Sequence, residues 1–193
     1  MSEPLNSYLE EHLAVARQLE PLLPQVEAVA QAICHALAQG GRVYAFGNGG
    51  SAADAQHFAA ELLGRYRRER RPLPAMALTT DPSTVTCIGN DYAFAELFAR
   101  QVEGLVRPGD VVVGITTSGN SENVIRGLAA ARRLGAVTVA LTGGTGGRVV
   151  SVADHALVVP SGATARIQEM HVLMIHMICE RIDDWVLAGR QDG

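Results

Sequence analysis

The sequence predicts a doubly wound α/β fold, a five-stranded parallel sheet with an N-terminal helical arm. Three observations carry that prediction. Apolar runs of about five to six residues alternate with segments of helical periodicity, as strands buried on both faces do. Two of these runs end in turns made for backbone chemistry, Gly47-Asn48-Gly49-Gly50-Ser51 and Thr116-Thr117-Ser118-Gly119-Asn120-Ser121. The chain has 193 residues, 48% hydrophobic and 19% charged, which suits one domain with a sizeable core and excludes disordered and fibrous classes.

Residues 4–39 read as two helices, punctuated at Pro21 and Pro24 and ended by Gly40-Gly41. Their apolar positions (Leu5, Leu9, Leu13, then Val26, Val29, Ile33, Leu37) recur at helical spacing and need a partner surface, either the chain's own sheet or another subunit. Arg42-Val43-Tyr44-Ala45-Phe46 is the first strand, and Ser51 to Tyr66, rich in Ala and Leu, the helix after it. Then come strand Ala75–Thr80, helix Glu96–Leu105, strand Val111–Thr116, helix Asn123–Leu134, strand Thr138–Thr142, strand Ala156–Pro160 and a long final helix Ala165–Leu187. No repeat, low-complexity tract or linker separates two domains. The arm, 1–40, and the remainder, 41–193, are expected to form one unit.

Charge and cysteine usage narrow the class. The net charge of −4 gives no broad electrostatic reason to expect nucleic acid as a partner. The one basic run, Arg65 to Arg71, reads as a solvated loop before Pro72. Cys34, Cys87 and Cys179 are far apart and odd in number, so buried free thiols are expected rather than disulfides. The start of the chain carries Glu3, Glu10 and Glu11 and shows no basic-then-apolar signal pattern, and no apolar run approaches a membrane span. The expectation is a cytoplasmic protein without membrane partners.

The chemistry gathers at the carboxyl ends of the strands. A glycine turn from strand to helix presents backbone N–H groups and a positive helix end to an anion. His57 and Glu61, four residues apart, project from one face of the helix that follows. The turn at Thr116–Ser121 offers four hydroxyls, from Thr116, Thr117, Ser118 and Ser121, and free amides at the next helix N-terminus, a neutral donor cluster that suits a phosphate monoester. A plain N-cap would account for Ser121 alone. Neither turn has G-x-G-x-x-G spacing and no Walker lysine follows, which excludes a dinucleotide or P-loop site. On the final helix Gln168 and His176 lie eight residues apart, a drift of about 80° that lets both face one cavity. Glu169 and His171 fall on other faces and read as surface or interface groups.

Gly47–Glu61, Leu78-Thr79-Thr80-Asp81, Ile88-Gly89-Asn90-Asp91-Tyr92, Thr117–Ser121, Ala140-Leu141-Thr142-Gly143 and Thr164–His171 with His176 together resemble the bacterial phosphoheptose isomerases of the sugar-isomerase (SIS) fold family, over nearly the whole chain. The resemblance implies interconversion of sedoheptulose 7-phosphate and glycero-manno-heptose 7-phosphate, a first step toward heptose in surface glycans. It implies a divalent metal, commonly zinc, on His57, Glu61, Gln168 and His176, with Glu61 and His176 the catalytic pair. It also implies sugar contacts from Asn48, Gly49, Gly50, Ser51, Asn90 and Asp91, phosphate contacts from Thr116, Thr117, Ser118 and Ser121, and a homotetramer with sites between subunits. Thr116 stands where the family usually has Ser, and Ala165 where many relatives have Asp. The rival reading is a related tetrameric scaffold that binds the replication initiator protein. That scaffold lacks the Glu at position 61 and has Asn in place of His176, so keeping both favours the enzyme.

Overall fold

The computed structural model describes residues 4–189. Glu3, read above with the acidic start of the chain, and the outer ends of the segments 1–40 and 41–193 lie outside the described residues. Five strands, β1 (Val43–Gly47), β2 (Ala75–Ala77), β3 (Val111–Ile115), β4 (Val137–Gly143) and β5 (His155–Val159), form one sheet in the order β2-β1-β3-β4-β5. Every pairing is parallel. Parallel neighbours need crossover connections, and most are helices: α3 (Gly50–Leu63), α4 (Pro82–Asp91), α5 (Leu97–Leu105) and α6 (Glu122–Arg133). Helices α1 (Leu5–Arg17) and α2 (Leu23–Ala38) precede the sheet and α7 (Thr164–Ala188) follows it.

Side chains along β1 alternate between two cores. Val43 and Ala45 face α2, α3 and α7 in a layer with Ile33, Phe58, Leu62, Met170, Met174 and Ile178. Tyr44 and Phe46 face α5 and α6 with Phe98, Val102, Val124 and Leu128. Phe46 and Phe98 stack at 4.6 Å between centroids, and a Cβ at Gly127 would lie 2.6 Å from the Phe46 ring, so a glycine is what lets α6 approach. Each of these side chains, fully buried, contributes about 1.5–3 kcal/mol.

The chain order reverses at β1, whose neighbours β2 and β3 are reached on opposite sides. Such a switch point leaves a crevice at the strands' carboxyl ends, where ligands of this architecture bind. Here it falls between the turn after β1 and the turn after β3, the two turns the sequence marks out.

Several expectations change. Strand β2 is three residues long instead of Ala75–Thr80, because Leu78 to Asp81 turn into α4, a helix the sequence reading left unassigned. Asp81 caps it, accepting from the backbone N–H groups of Ser83 and Thr84 at 3.0 and 3.2 Å, with Pro82 at its first position. Of the cysteines only Cys179 is buried; Cys34 is half-buried and Cys87 exposed on α4. The basic run is not uniformly solvated, for Arg70 is buried in an ion pair with Asp183.

His171 is likewise no surface group. It is buried completely, and its Nε2–H donates to the Thr142 carbonyl at 3.1 Å. Glu169 is partly buried, paired with Arg166 at 2.7 Å and His12 at 2.6 Å, and so ties α7 to α1. Burial pushes the His171 imidazole down to about 4. The unfolded chain takes up this proton near pH 6.5 while the folded chain resists it to about 4, so stability is full above 6.5 and falls as pH drops through that window. The loss expected is about 3 kcal/mol, read as a lower urea midpoint at pH 4 than at pH 7. In His171→Gln that portion of the pH slope should vanish; an unchanged slope would refute the assignment.

Candidate active site

Helices α3 and α7 run side by side in the same direction. Gln168, early in α7, meets Gly50 and Asp54 at the start of α3, and His176 meets His57 two turns further on. The drift of about 80° between Gln168 and His176 is therefore matched by the path of α3, and both side chains face that helix. His57 Nε2 lies 2.9 Å from His176 Nε2 and 3.4 Å from Glu61 Oε1. Donor atoms of His57, Glu61 and His176 all fall within 4.8 Å of one another. His57 keeps 41% of its side chain exposed and Glu61 19%, so the cluster is walled but reachable. The Tyr66 ring stacks on His176 at 5.3 Å, covering its outer side.

Two imidazole nitrogens and one carboxylate oxygen form a donor set that could hold a divalent transition metal. The spacing agrees, since a tetrahedral ion with bonds of about 2.1 Å holds its ligand atoms about 3.4 Å apart. Gln168, expected from the sequence as a fourth and weaker donor, lies on α7 against the first turns of α3. Its Nε2 donates to the two oxygens of Asp54 at 3.3 and 3.5 Å, which leaves the amide oxygen as the atom free to coordinate. Burial raises the Asp54 carboxyl above its ordinary range, with the Gln168 bond opposing that shift. Asp54, to which the sequence reading gave no role, is buried and holds the Gln168 amide. Its place three residues before His57, on the helical face shared with Gly50, is the signal that could have found it.

Gly50 is where the fit is closest. A Cβ there would stand 2.2 Å from Gln168 Nε2. Gly50→Ala should leave the fold intact, since the atom met is the end of a flexible side chain, but should swing Gln168 away from Asp54. We expect a loss of tenfold or so in metal affinity, with an unchanged melting temperature, by calorimetric titration and thermal unfolding.

The two turns are joined across the switch point. Asn48 Nδ2 donates to Asn123 Oδ1 at 2.9 Å, and Asn123 Nδ2 returns a bond to Asn48 Oδ1 at 2.8 Å. Asn48, expected to hold sugar, thus uses this amide as a strut, and Asn123, buried at the start of α6, is its unforeseen partner. Gly49 has a φ of +56°, a conformation glycine adopts freely, and Ser51 behind it is buried with its N–H on the Asn48 carbonyl at 3.0 Å.

In the second turn Thr116 is buried and its hydroxyl shares a 3.0 Å bond with that of Ser121. Ser121 stands at the N-cap of α6 without a side-chain capping bond, so the plain-cap reading does not describe it. Ser118 is exposed, its Oγ accepting from the Asn120 N–H at 3.2 Å. Thr117 is half-buried beside it. Gly119 (φ +67°) lets the turn approach the β4–β5 connection, where a Cβ would stand 1.9 Å from the Gly146 carbonyl oxygen.

Asn90 and Asp91 stand apart from this group. They are exposed at the end of α4, where Asn90 Nδ2 donates to Asp91 Oδ1 at 2.8 Å. Among the described residues no hydrogen bond joins them to α3, α7 or the Thr116–Ser121 turn. The structure therefore gathers His57, Glu61 and His176 in one cluster, sets Gln168 against Gly50 and Asp54 nearer the start of α3, and ties the glycine turn to Asn123 beside Thr116–Ser121.

The comparisons with known proteins agree with this geometry. The SIS domain family matches residues 7–143. The chain is similar to the phosphoheptose isomerase of Aquifex aeolicus, 59% identical over 162 residues, 84% of this chain and 85% of that protein. Similarity to the phosphoheptose isomerase of Geotalea daltonii runs over 99% of this chain and 100% of that one, at 46% identity. The solved phosphoheptose isomerase of Neisseria gonorrhoeae superposes with a TM-score of 0.89 at 44% identity, covering 93% of this chain and 97% of that one. A five-stranded parallel sheet with its polar turns at the switch point, matched end to end by these relatives, places the chain in the phosphoheptose isomerase family of SIS-domain proteins.

Proposed function

We propose that this chain interconverts D-sedoheptulose 7-phosphate and D-glycero-D-manno-heptose 7-phosphate through an enediol, with the phosphate held by Thr116, Thr117, Ser118 and Ser121 and the reacting carbons at His57, Glu61, Gln168 and His176. The observation that carries the reading is the convergence of His57, Glu61 and His176 within 4.8 Å, at the helix α3, whose leading glycine turn is bonded through Asn48 to Asn123 beside the hydroxyl-lined turn. A divalent metal, zinc by its donor set, would polarise the substrate oxygens there and steady developing negative charge.

The residues divide the work. Glu61 has one carboxylate oxygen toward His57 and a second one free. It takes the proton from C1 of the ketose while O2 gains one, giving the enediol. The same carboxylate returns its proton to C2, O1 loses one, and the aldehyde forms at C1. His176 serves these oxygens as the partner acid and base, its ring held between His57 and Tyr66. Ser51 and the backbone of Gly49 and Gly50 line the sugar. The neutral hydroxyls and the α6 N-terminus hold the phosphate without a competing charge.

The arm supports a second copy of the chain at this site. Leu5, Leu9 and Leu13 on α1 are 86, 58 and 45% exposed and four residues apart, an apolar stripe facing away from the protein's own core. Helix α2, by contrast, is built into that core. Asn90 and Asp91 reach a sugar if they act from a neighbouring subunit, in a tetramer whose sites lie between copies. Light scattering should give four copies, and a stable monomer would refute it. Among the described residues no helix is long and apolar enough to cross a membrane. The deciding assay is conversion of sedoheptulose 7-phosphate by the purified, zinc-supplied protein; no aldose product under those conditions would overturn the reading.

A further inference from the structure

We propose that Arg70 and Asp183 are positioning residues for the metal cluster, and that this buried ion pair sets the distance between Glu61 on α3 and His176 on α7. The inference rests on the proposed reading of His57, Glu61 and His176 as metal ligands. Both side chains of the pair are 0% exposed. Arg70 Nε donates to Asp183 Oδ1 at 2.7 Å. Its other nitrogens donate to the carbonyls that close α3: Nη2 to Glu61 at 2.6 Å, Nη1 to Leu62 at 2.9 Å and to Gly64 at 3.5 Å. Nη1 also reaches the carbonyl of Arg71 at 3.0 Å. Asp183 Oδ2 accepts from the backbone N–H groups of Arg67 and Arg68, each at 3.2 Å.

Glu61 is the ligand most in need of such support. Helix α3 ends at Leu63, so Glu61 lies in its last turn, where carbonyls lack intrahelical donors and helices fray. His57, one turn earlier, is held by the helix itself. Arg70 supplies the missing donors as a planar fork, and its positive charge sits at the negative end of the helix. Asp183 lies seven residues beyond His176, two turns along the same face of α7. The strap from Gly64 to Arg71 therefore buckles the end of α3 to the helix that carries His176. A fully buried ion pair is weak evidence for stability as such, since an apolar pair of similar volume often serves as well. What an apolar pair cannot do is bond to the Glu61 carbonyl.

That difference defines the test. Arg70→Met combined with Asp183→Leu removes both charges and orphans neither, while Arg70→Lys keeps the charge without the fork. Cobalt(II) is titrated into the full chain and followed by visible absorption, beside urea unfolding and steady-state kinetics. The wild-type protein should bind cobalt and His57→Ala should bind it far more weakly. The double variant should fold, bind cobalt at least tenfold or so more weakly with a shifted band, and lose kcat with KM little changed. Arg70→Lys should fall between. Leu128→Ala, a buried change on the opposite face of the sheet, should lower stability and leave cobalt affinity alone. Wild-type cobalt affinity in the folded double variant would overturn the proposal, and if that variant does not fold, wild-type affinity in Arg70→Lys would do so. If the wild-type protein and His57→Ala bind alike, the metal reading itself fails and this inference falls with it, a result distinct from either of the others.

Discussion

Glu61→Gln and His176→Ala are each expected to lower turnover of sedoheptulose 7-phosphate by about a thousandfold or more, against an unchanged far-ultraviolet spectrum and urea midpoint. The effect is large because, in the proposed mechanism, each residue serves twice, as a donor in the three-residue cluster and as a group that moves a proton. Glu61→Gln keeps the size of the side chain and removes its charge, so metal is held less tightly and the amide cannot take a proton from carbon. The change should fall on kcat, because the phosphate-binding turn proposed at Thr116–Ser121 is untouched. His57→Ala should weaken metal binding in the same way but respond better to added metal, since it leaves the proposed acid–base pair in place. A Glu61→Gln enzyme retaining a tenth of its kcat would remove Glu61 from the chemistry.

Breaking the buried pair from one side is the second large effect. Arg70→Met alone should lower the free energy of unfolding by about 3–5 kcal/mol, because Asp183 is then left buried without its counter-charge and the α3 carbonyls without their donor. A typical domain has only about 5–15 kcal/mol to lose. Adding Asp183→Leu should restore most of the loss, an interaction visible in a double-mutant cycle by urea titration. The exposed pair of Arg133 with Glu103, 66 and 54% exposed, is a fair contrast. Arg133→Ala should change stability by less than about 1 kcal/mol. Equal effects at the two arginines would mean that burial does not govern the Arg70 pair.

Periodicity made most of the fold legible. Five apolar runs, helices between them and two polar turns at strand ends were enough to place the carboxyl-end crevice, whereas His57, Glu61, Gln168 and His176 stood out as a set only through the resemblance to phosphoheptose isomerases. What escaped the sequence was governed by contacts between distant segments. Arg70 lies among five other charged residues between Arg65 and Arg71, and nothing local separates the one arginine that turns inward. His171 comes just after the polar pair Gln168-Glu169 on a long helix, yet its face is closed by β4. Asn48 reads as a ligand-facing amide until Asn123, 75 residues on, is seen to occupy it. Helix α4 was the exception, because its Asp81-Pro82 start was a local signal. Its β-branched Thr84, Val85 and Thr86 favour a strand and obscured that signal.

The amide pair between Asn48 and Asn123 has a consequence for how this protein responds to acid. Neither partner titrates, so the bond that holds the glycine turn against the phosphate turn is the same at pH 5 as at pH 9. A strut made from a carboxylate and an imidazole would loosen within that range, and the two ends of the crevice would drift apart as activity was measured. With neutral amides the frame stays fixed. Any pH dependence of catalysis between those limits then arises outside this frame, the substrate's own phosphate included, whose second ionisation lies near pH 6.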